Sequence, residues 1–233
     1  MQNRLQQAEA YLWTFSHEIR SRLGVPLPPI RVKEKRFSDD TLADALPGLI
    51  RIDPRKDLSE VDSGISLESV ILHELGHHAL WALNEDGVDL VRARFSGSIP
   101  ERRSIWTDLN TLARMTSSRE VYLPKLINEG ITETFLLNVF PYACSVSAEG
   151  RRGLQRRRVY HQQEISMFGR DPSRKIHSPY SVGYAFFKEL AEMLGPQGFL
   201  GYVKDLDGKS IPLTRDFQRP RNYLSRYEPQ VAA

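Results

Sequence analysis

Residues 66–83 decide the fold of this chain, and they read SLESVILHELGHHALWAL. Apolar residues fill most of the stretch, as expected for a buried helix. Ser66 is a good N-cap residue, and Glu68 would lie in the first turn, where a negative charge is favourable. Asn84 follows as an exit signal. The pattern therefore predicts a helix over 67–83.

This helix carries the string His73-Glu74-Leu75-Gly76-His77. Residues four apart share one face of a helix, so the imidazoles of His73 and His77 can reach one metal ion. Zinc suits neutral imidazole nitrogen and lowers the pKa of water bound to it. Glu74 points about a third of a turn away, from where its carboxylate can take a proton from that water. The alternative is that the two histidines are ordinary polar residues of the core.

A third protein ligand is needed beside the two histidines, since a catalytic zinc keeps its fourth position open. Glu129 and Glu133 stand four residues apart in the segment LINEGITE, which is predicted to be helical. Glu129 is the candidate ligand. Glu133 is placed to accept the second N–H group of a ligand histidine and fix its orientation. The alternative is that both glutamates are solvent-exposed.

The remainder of the chain predicts a helix-rich α+β protein with a small N-terminal β element. The stretch 145–175 is basic and its structure stays open. The predicted elements are helices over 4–23, 105–115, 123–140, 180–194 and 197–205, with strands over 30–35 and 49–52.

These motifs resemble the gluzincin peptidases, which include thermolysin and aminopeptidase N. The resemblance implies a zincin-like fold, hydrolysis of peptide bonds, zinc bound by His73, His77 and Glu129, and Glu133 supporting a ligand histidine. The segment SPYSVGYAFF, residues 178–187, is similar to the Tyr-x-x-Gly helix of aminopeptidase N and leukotriene A4 hydrolase relatives. That similarity implies that Tyr180 donates to the oxyanion, with His177 as a weaker alternative.

One domain over 1–215 is expected, followed by an irregular tail over 216–233. The interval between His77 and Glu129 is much longer than in thermolysin, so 84–122 is interpreted as an insertion. The Gly-x-Met-Glu-Asn segment that holds a free amino terminus in aminopeptidase N relatives is absent. Endopeptidase and aminopeptidase specificity therefore both stay open, as do the substrate sequence and the oligomeric state.

Two other functions fit the same residues. The string HELGHH also resembles the ImmA/IrrE type of regulatory peptidase, which acts on one specific partner protein. A non-catalytic module with structural zinc is the other alternative. Such a site fills all four metal positions with protein ligands, typically including Cys, and nothing marks Cys144 as the fourth ligand.

Composition limits the environment and the partners. A single cysteine allows no intrachain disulfide, the N-terminus lacks a signal-peptide pattern, and no apolar run is long enough for a membrane helix. We therefore expect a cytoplasmic protein with a peptide or protein substrate. The net charge of +3 does not favour nucleic acid. The arginine cluster at 151–158 is interpreted as a solvated face, with a docking surface for an anionic partner as the alternative, and His78 and His161 as structural or surface residues.

Overall fold

The computed structural model describes residues 2–39, 41–56, 65–84, 128–170 and 179–204. In chain order the regular elements are α1 (Gln2–Leu23), β1 (Arg31–Glu34), β2 (Ala43–Leu46), β3 (Leu49–Ile52), α2 (Leu67–Leu83), α3 (128–134), α4 (Ala148–Arg170) and α5 (Pro179–Lys204). A π-helical turn (Phe135–Val139) and a 3-10 turn (Phe140–Tyr142) follow α3 directly. The helix-rich α+β class predicted from the sequence is confirmed.

The three strands form one small sheet in the order β1-β3-β2. β1 pairs with β3 in parallel, whereas β2 and β3 form an antiparallel hairpin whose register pairs Leu46 with Leu49. Pro47 and Gly48 make the turn, and the positive φ of 70° at Gly48 is one that glycine adopts without strain. β1 and β3 lie within the predicted strands. β2 was missed because Ala and Asp are poor strand formers, although the Pro-Gly pair marks the hairpin.

The helix α2 has the predicted bounds and the predicted cap. Ser66 accepts a hydrogen bond from the backbone N–H of Ser69, and the Ser69 hydroxyl in turn accepts from the backbone N–H of Ser66. Every residue from Glu68 to Leu80 is buried. Since α2 packs against α1, β2, α4, α5 and the π-helical turn, it is the central element of the described fold.

The predicted helix over 123–140 is confirmed over 128–134, and its earlier part lies outside the described residues. After residue 134 the chain keeps a helical course but widens into the π-helical turn and then tightens into the 3-10 turn. Pro141 lies in the 3-10 turn, close to the predicted end. The sequence contains no signal for the π-helical turn.

The stretch that the sequence left open holds the long helix α4. The predicted helices over 180–194 and 197–205 are both present in α5, which breaks where the sequence indicated a stop. Gly195 adopts a φ of 66° and a ψ of 175°, and Pro196 follows it. Within the described part of the chain, no helix is both long and apolar enough to cross a membrane.

Several predictions lie outside the described residues. They are the helix over 105–115, the insertion over 84–122 beyond Asn84, the tail over 216–233 and the alternative donor His177.

Candidate metal centre

The imidazoles of His73 and His77 lie on the same side of α2, as their four-residue spacing predicts. Both residues are buried, and their ring centroids are 4.9 Å apart with nearly perpendicular planes. Glu74 is also buried. The helix therefore presents two nitrogen ligands and one carboxylate to the same region of the protein interior.

Glu129 completes this cluster from the neighbouring helix α3. Its Oε2 atom lies 3.3 Å from His73 Nε2 and 3.5 Å from His77 Nε2. One ligand atom from each of the three residues lies within 4.8 Å of the others, so the group could hold one metal ion. Glu129 Oε2 is buried and forms no hydrogen bond with described residues. A buried carboxylate oxygen is costly without a partner, and a metal ion would supply one.

The charges around this group favour a cation. Glu74, Glu129 and Glu133 are all buried, and among the described residues Arg157 forms an ion pair with Glu133. Burial opposes protonation of His73, but the carboxylates of Glu129 and Glu133 beside its ring outweigh burial and raise the His73 pKa to about 10. Burial raises the pKa of the Glu74 carboxyl, although both ligand histidines oppose that shift. The metal-free site thus attracts positive charge, which is what a divalent ion would bring.

Each of the two histidines is oriented through its Nδ1 atom. His73 Nδ1 lies 2.9 Å from Glu133 Oε1, so the predicted support of a ligand histidine by Glu133 has the required geometry. His77 Nδ1 lies 3.1 Å from Thr132 Oγ1 and 3.4 Å from Asn128 Oδ1. Donation from both Nδ1 atoms leaves both Nε2 atoms free to bind a metal. No role for Thr132 or Asn128 was predicted from the sequence.

The helix α4 brings a further pair of residues to Glu133. Arg157 donates from Nε to Glu133 Oε2 at 2.8 Å and from Nη2 to Oε1, and His161 Nε2 lies 2.9 Å from Oε2. His161 Nδ1 is 2.7 Å from the hydroxyl of Ser181. His161 is thus a structural residue, as one of the two predicted roles states.

The interpretation of the arginine cluster as a solvated face is wrong for two of its members. Arg152 and Arg156 are exposed, but Arg157 points inward to Glu133, and Arg158 donates to the backbone carbonyl of Leu137. Positions 157 and 161 are four residues apart, the same spacing as in the pairs 73/77 and 129/133. That spacing places each pair on one face of its helix, but it does not show where the face points.

Two glycines allow the helices to approach this closely. A side chain at Gly76 would come within 2.8 Å of the Thr132 methyl group, so α2 and α3 pack almost backbone to backbone. A side chain at Gly130 would lie 2.5 Å from the backbone of Gly183, at the crossing of α3 and α5. The second crossing holds the start of α5, and with it Tyr180, beside the metal group.

Tyr180 lies next to His73, with ring centroids 5.7 Å apart. Burial, together with the nearby charge of Glu129, raises the pKa of the Tyr180 phenol, so the hydroxyl keeps its proton at neutral pH. A cavity of about 340 Å³ opens at this point, and its lining includes His73, Glu74 and Tyr180. Residues 41–43, where β2 begins, line the same cavity. The cluster is therefore open to a ligand on the side that carries Glu74 and Tyr180.

Comparisons with protein-family models, with curated proteins and with solved structures found no match to this chain.

Proposed function

We propose that this protein is a zinc-dependent peptidase of the gluzincin type. The observation that carries the proposal is the convergence of His73, His77 and Glu129 around one point beside a cavity that also contains Glu74. Two imidazoles and one carboxylate form a ligand set typical of catalytic zinc, which keeps a position open for water or substrate. The described residues offer no fourth ligand at this group, which disfavours a structural zinc site.

A zinc ion held by these residues supplies a Lewis acid that acidifies water and polarises a carbonyl group. Glu74 is the proton carrier of the proposed reaction. Its carboxylate accepts a proton from the attacking water and returns it to the leaving amine nitrogen. Because burial raises the Glu74 pKa, the protonated form is easier to reach than for an exposed glutamate.

Tyr180 is the proposed donor to the oxyanion that develops on the substrate carbonyl. Its raised pKa keeps the phenol protonated, and it lines the same cavity as Glu74. A donor directed at developing charge stabilises the transition state more than the bound substrate.

The strand β2 gives the substrate a backbone to pair with. It is one of the two edge strands of the described sheet, and residues 41–43 line the same cavity as Glu74. An extended peptide added along a free strand edge gains main-chain hydrogen bonds without a demand on its sequence. This arrangement favours a peptide substrate over a small molecule.

The test is hydrolysis of a mixed peptide library by zinc-loaded protein, with new peptide ends identified by mass spectrometry. Glu74→Gln is the matched control, because it keeps the shape of the side chain and removes the proton acceptor. Cleavage by wild-type protein and none by Glu74→Gln is the expected result. Equal cleavage by both proteins would contradict the proposed mechanism, and cleavage of a single native partner alone would favour the ImmA/IrrE type of activity.

A further inference from the structure

Arg157 and His161 both contact the carboxylate of Glu133, which is not one of the three proposed metal ligands. We propose that they are positioning residues for the metal centre, which fix the Glu133 carboxylate and, through it, the His73 ring, and so slow the loss of the metal ion. This inference rests on the proposed metal site, but it does not depend on what reaction the site performs.

The first observation is that Glu133 has a complete set of donors. Its Oε1 atom accepts hydrogen bonds from His73 Nδ1, at 2.9 Å, and from Arg157 Nη2. Its Oε2 atom accepts hydrogen bonds from Arg157 Nε, at 2.8 Å, and from His161 Nε2, at 2.9 Å. A carboxylate offers about four acceptor directions, and here each is used. Arg157 spans both oxygens, a bidentate arrangement that fixes the plane of the carboxylate as well as its position.

The second observation is that these donors are themselves held. Glu133 is fully buried, and the Arg157 side chain is only 15% exposed. The Ser181 hydroxyl lies 2.7 Å from His161 Nδ1 and is buried as well. Donation by Ser181 to Nδ1 leaves the proton of His161 on Nε2, the nitrogen that faces Glu133.

The third observation is the position of the pair in the fold. Arg157 and His161 belong to α4 and Ser181 to α5, while Glu133 belongs to α3 and His73 to α2. Three helices therefore meet at a single carboxylate, and a fourth, α5, holds His161 through Ser181. A shift of Glu133 would rotate the acceptor away from His73 Nδ1 and release the ring that carries a metal ligand.

A purely structural role for Arg157 is the competing explanation, since a buried ion pair also joins α4 to α3. The two roles differ in what they predict for the metal. If Arg157 only joins helices, its replacement lowers stability but leaves metal release from the folded protein unchanged. If it acts through Glu133, metal release accelerates while the protein stays folded.

The experiment measures the rate at which zinc-loaded protein releases zinc to an excess of a coloured chelator. Arg157→Gln and His161→Leu are compared with wild type, with Arg156→Gln as the matched control, because Arg156 is the exposed neighbour on α4. Loss of a group that orients a metal ligand commonly weakens metal binding 10- to 100-fold. We expect release about 10- to 100-fold faster in both variants and unchanged in Arg156→Gln.

Three further measurements separate positioning from stability. The absorption spectrum of the cobalt-substituted protein should change in Arg157→Gln, since it reports the ligand geometry directly. His161→Gln, whose amide can replace the lost donor, should restore much of the retention that His161→Leu loses. The effects of Glu133→Gln and Arg157→Gln should be far less than additive in the double variant, because Arg157 acts chiefly through that carboxylate, although its Nη2 atom also lies 3.4 Å from His73 Nδ1.

Wild-type release rates in folded Arg157→Gln and His161→Leu would overturn the proposal, as would additive effects in the double variant. If Arg157→Gln does not fold, Arg157→Lys keeps the buried charge but cannot span both oxygens, and release at the wild-type rate in that variant would overturn the proposal equally. The failure of the peptidase proposal is distinguishable. In that case the wild-type protein would hold zinc but cleave no peptide, and replacement of Arg157 would still accelerate zinc release.

Discussion

The two sides of α2 are built on opposite principles. Ile71, Leu72 and Leu75 are fully buried in a continuous apolar core, and α2 packs against α1 and β2. Toward α3 and α4, the same helix buries His73 and His77 among charged groups. Apolar burial is non-directional, whereas each charged contact needs one partner at one distance. Substitutions of the apolar residues of α2 should therefore lower the free energy of unfolding, whereas substitutions of its polar residues should alter metal binding and turnover.

The largest effect is expected on the polar side. Glu74→Gln should lower peptide turnover by ~10²–10⁴, because the variant cannot accept the proton of the attacking water. Zinc content and melting temperature should stay close to wild type. Steady-state kinetics with parallel metal analysis checks this, and turnover at the wild-type rate would end the role assigned to Glu74.

Tyr180→Phe should have the next largest effect on catalysis. The loss of one donor to an oxyanion lowers kcat by ~10²–10³. Because phenylalanine keeps the ring beside His73, zinc content should not change. An unchanged kcat in a zinc-loaded variant would show that Tyr180 is a packing residue and would move the search for a donor elsewhere.

Leu75→Ala tests the apolar side one residue away from Glu74. Removal of a fully buried leucine side chain commonly lowers the free energy of unfolding by about 2–5 kcal/mol. Denaturant unfolding measures this, and the protein that remains folded should bind zinc with wild-type stoichiometry. Loss of zinc from folded Leu75→Ala would break the separation between the two sides.

Substitution of His78 should have the smallest effect, a pH-dependent change in the free energy of unfolding. Burial, helped by the charge of His77, lowers the His78 pKa to about 4, below its ordinary value of 6.5. The unfolded chain therefore takes up the proton first as the pH falls, and stability is lost between about pH 7 and pH 4. His78→Asn should remove this contribution, on the order of 2–3 kcal/mol at the acidic end.

The measurement for His78 is the difference in unfolding free energy between wild type and His78→Asn at several pH values, without metal. The His73 contribution has the opposite sign and is present in both proteins, so it cancels in the difference. A difference that does not vary with pH would contradict the assignment of a lowered pKa to His78.

The apolar side was predictable because its signals are periodic and local. Residues 67–83 form the predicted helix with Ser66 as its cap, and β3 has the predicted bounds. The hairpin strand β2 escaped prediction because its residues have weak strand preference, and the antiparallel pairing with β3 stabilises it.

The polar side was predictable only for residues whose spacing along the sequence is typical of metal ligands. His73, His77 and Glu129 meet, as the motif and the search for a third ligand indicated. Arg157 was missed because an arginine-rich helix is usually solvated, and its inward direction depends on the position of Glu133 in another helix. The contact between Thr132 and His77 likewise depends on the close crossing at Gly76. Such contacts follow from packing between helices, which no single stretch of sequence encodes.

The most direct test of the central claim is the zinc content of purified protein, measured by mass spectrometry. Wild type is compared with His77→Ala, Glu129→Gln and the exposed control Glu149→Gln, all prepared without chelator. We expect about one zinc ion per chain in wild type and in Glu149→Gln, and loss of the metal in the two ligand variants while helical content persists. No zinc in wild type, or full retention in Glu129→Gln, would contradict a metal centre built from His73, His77 and Glu129.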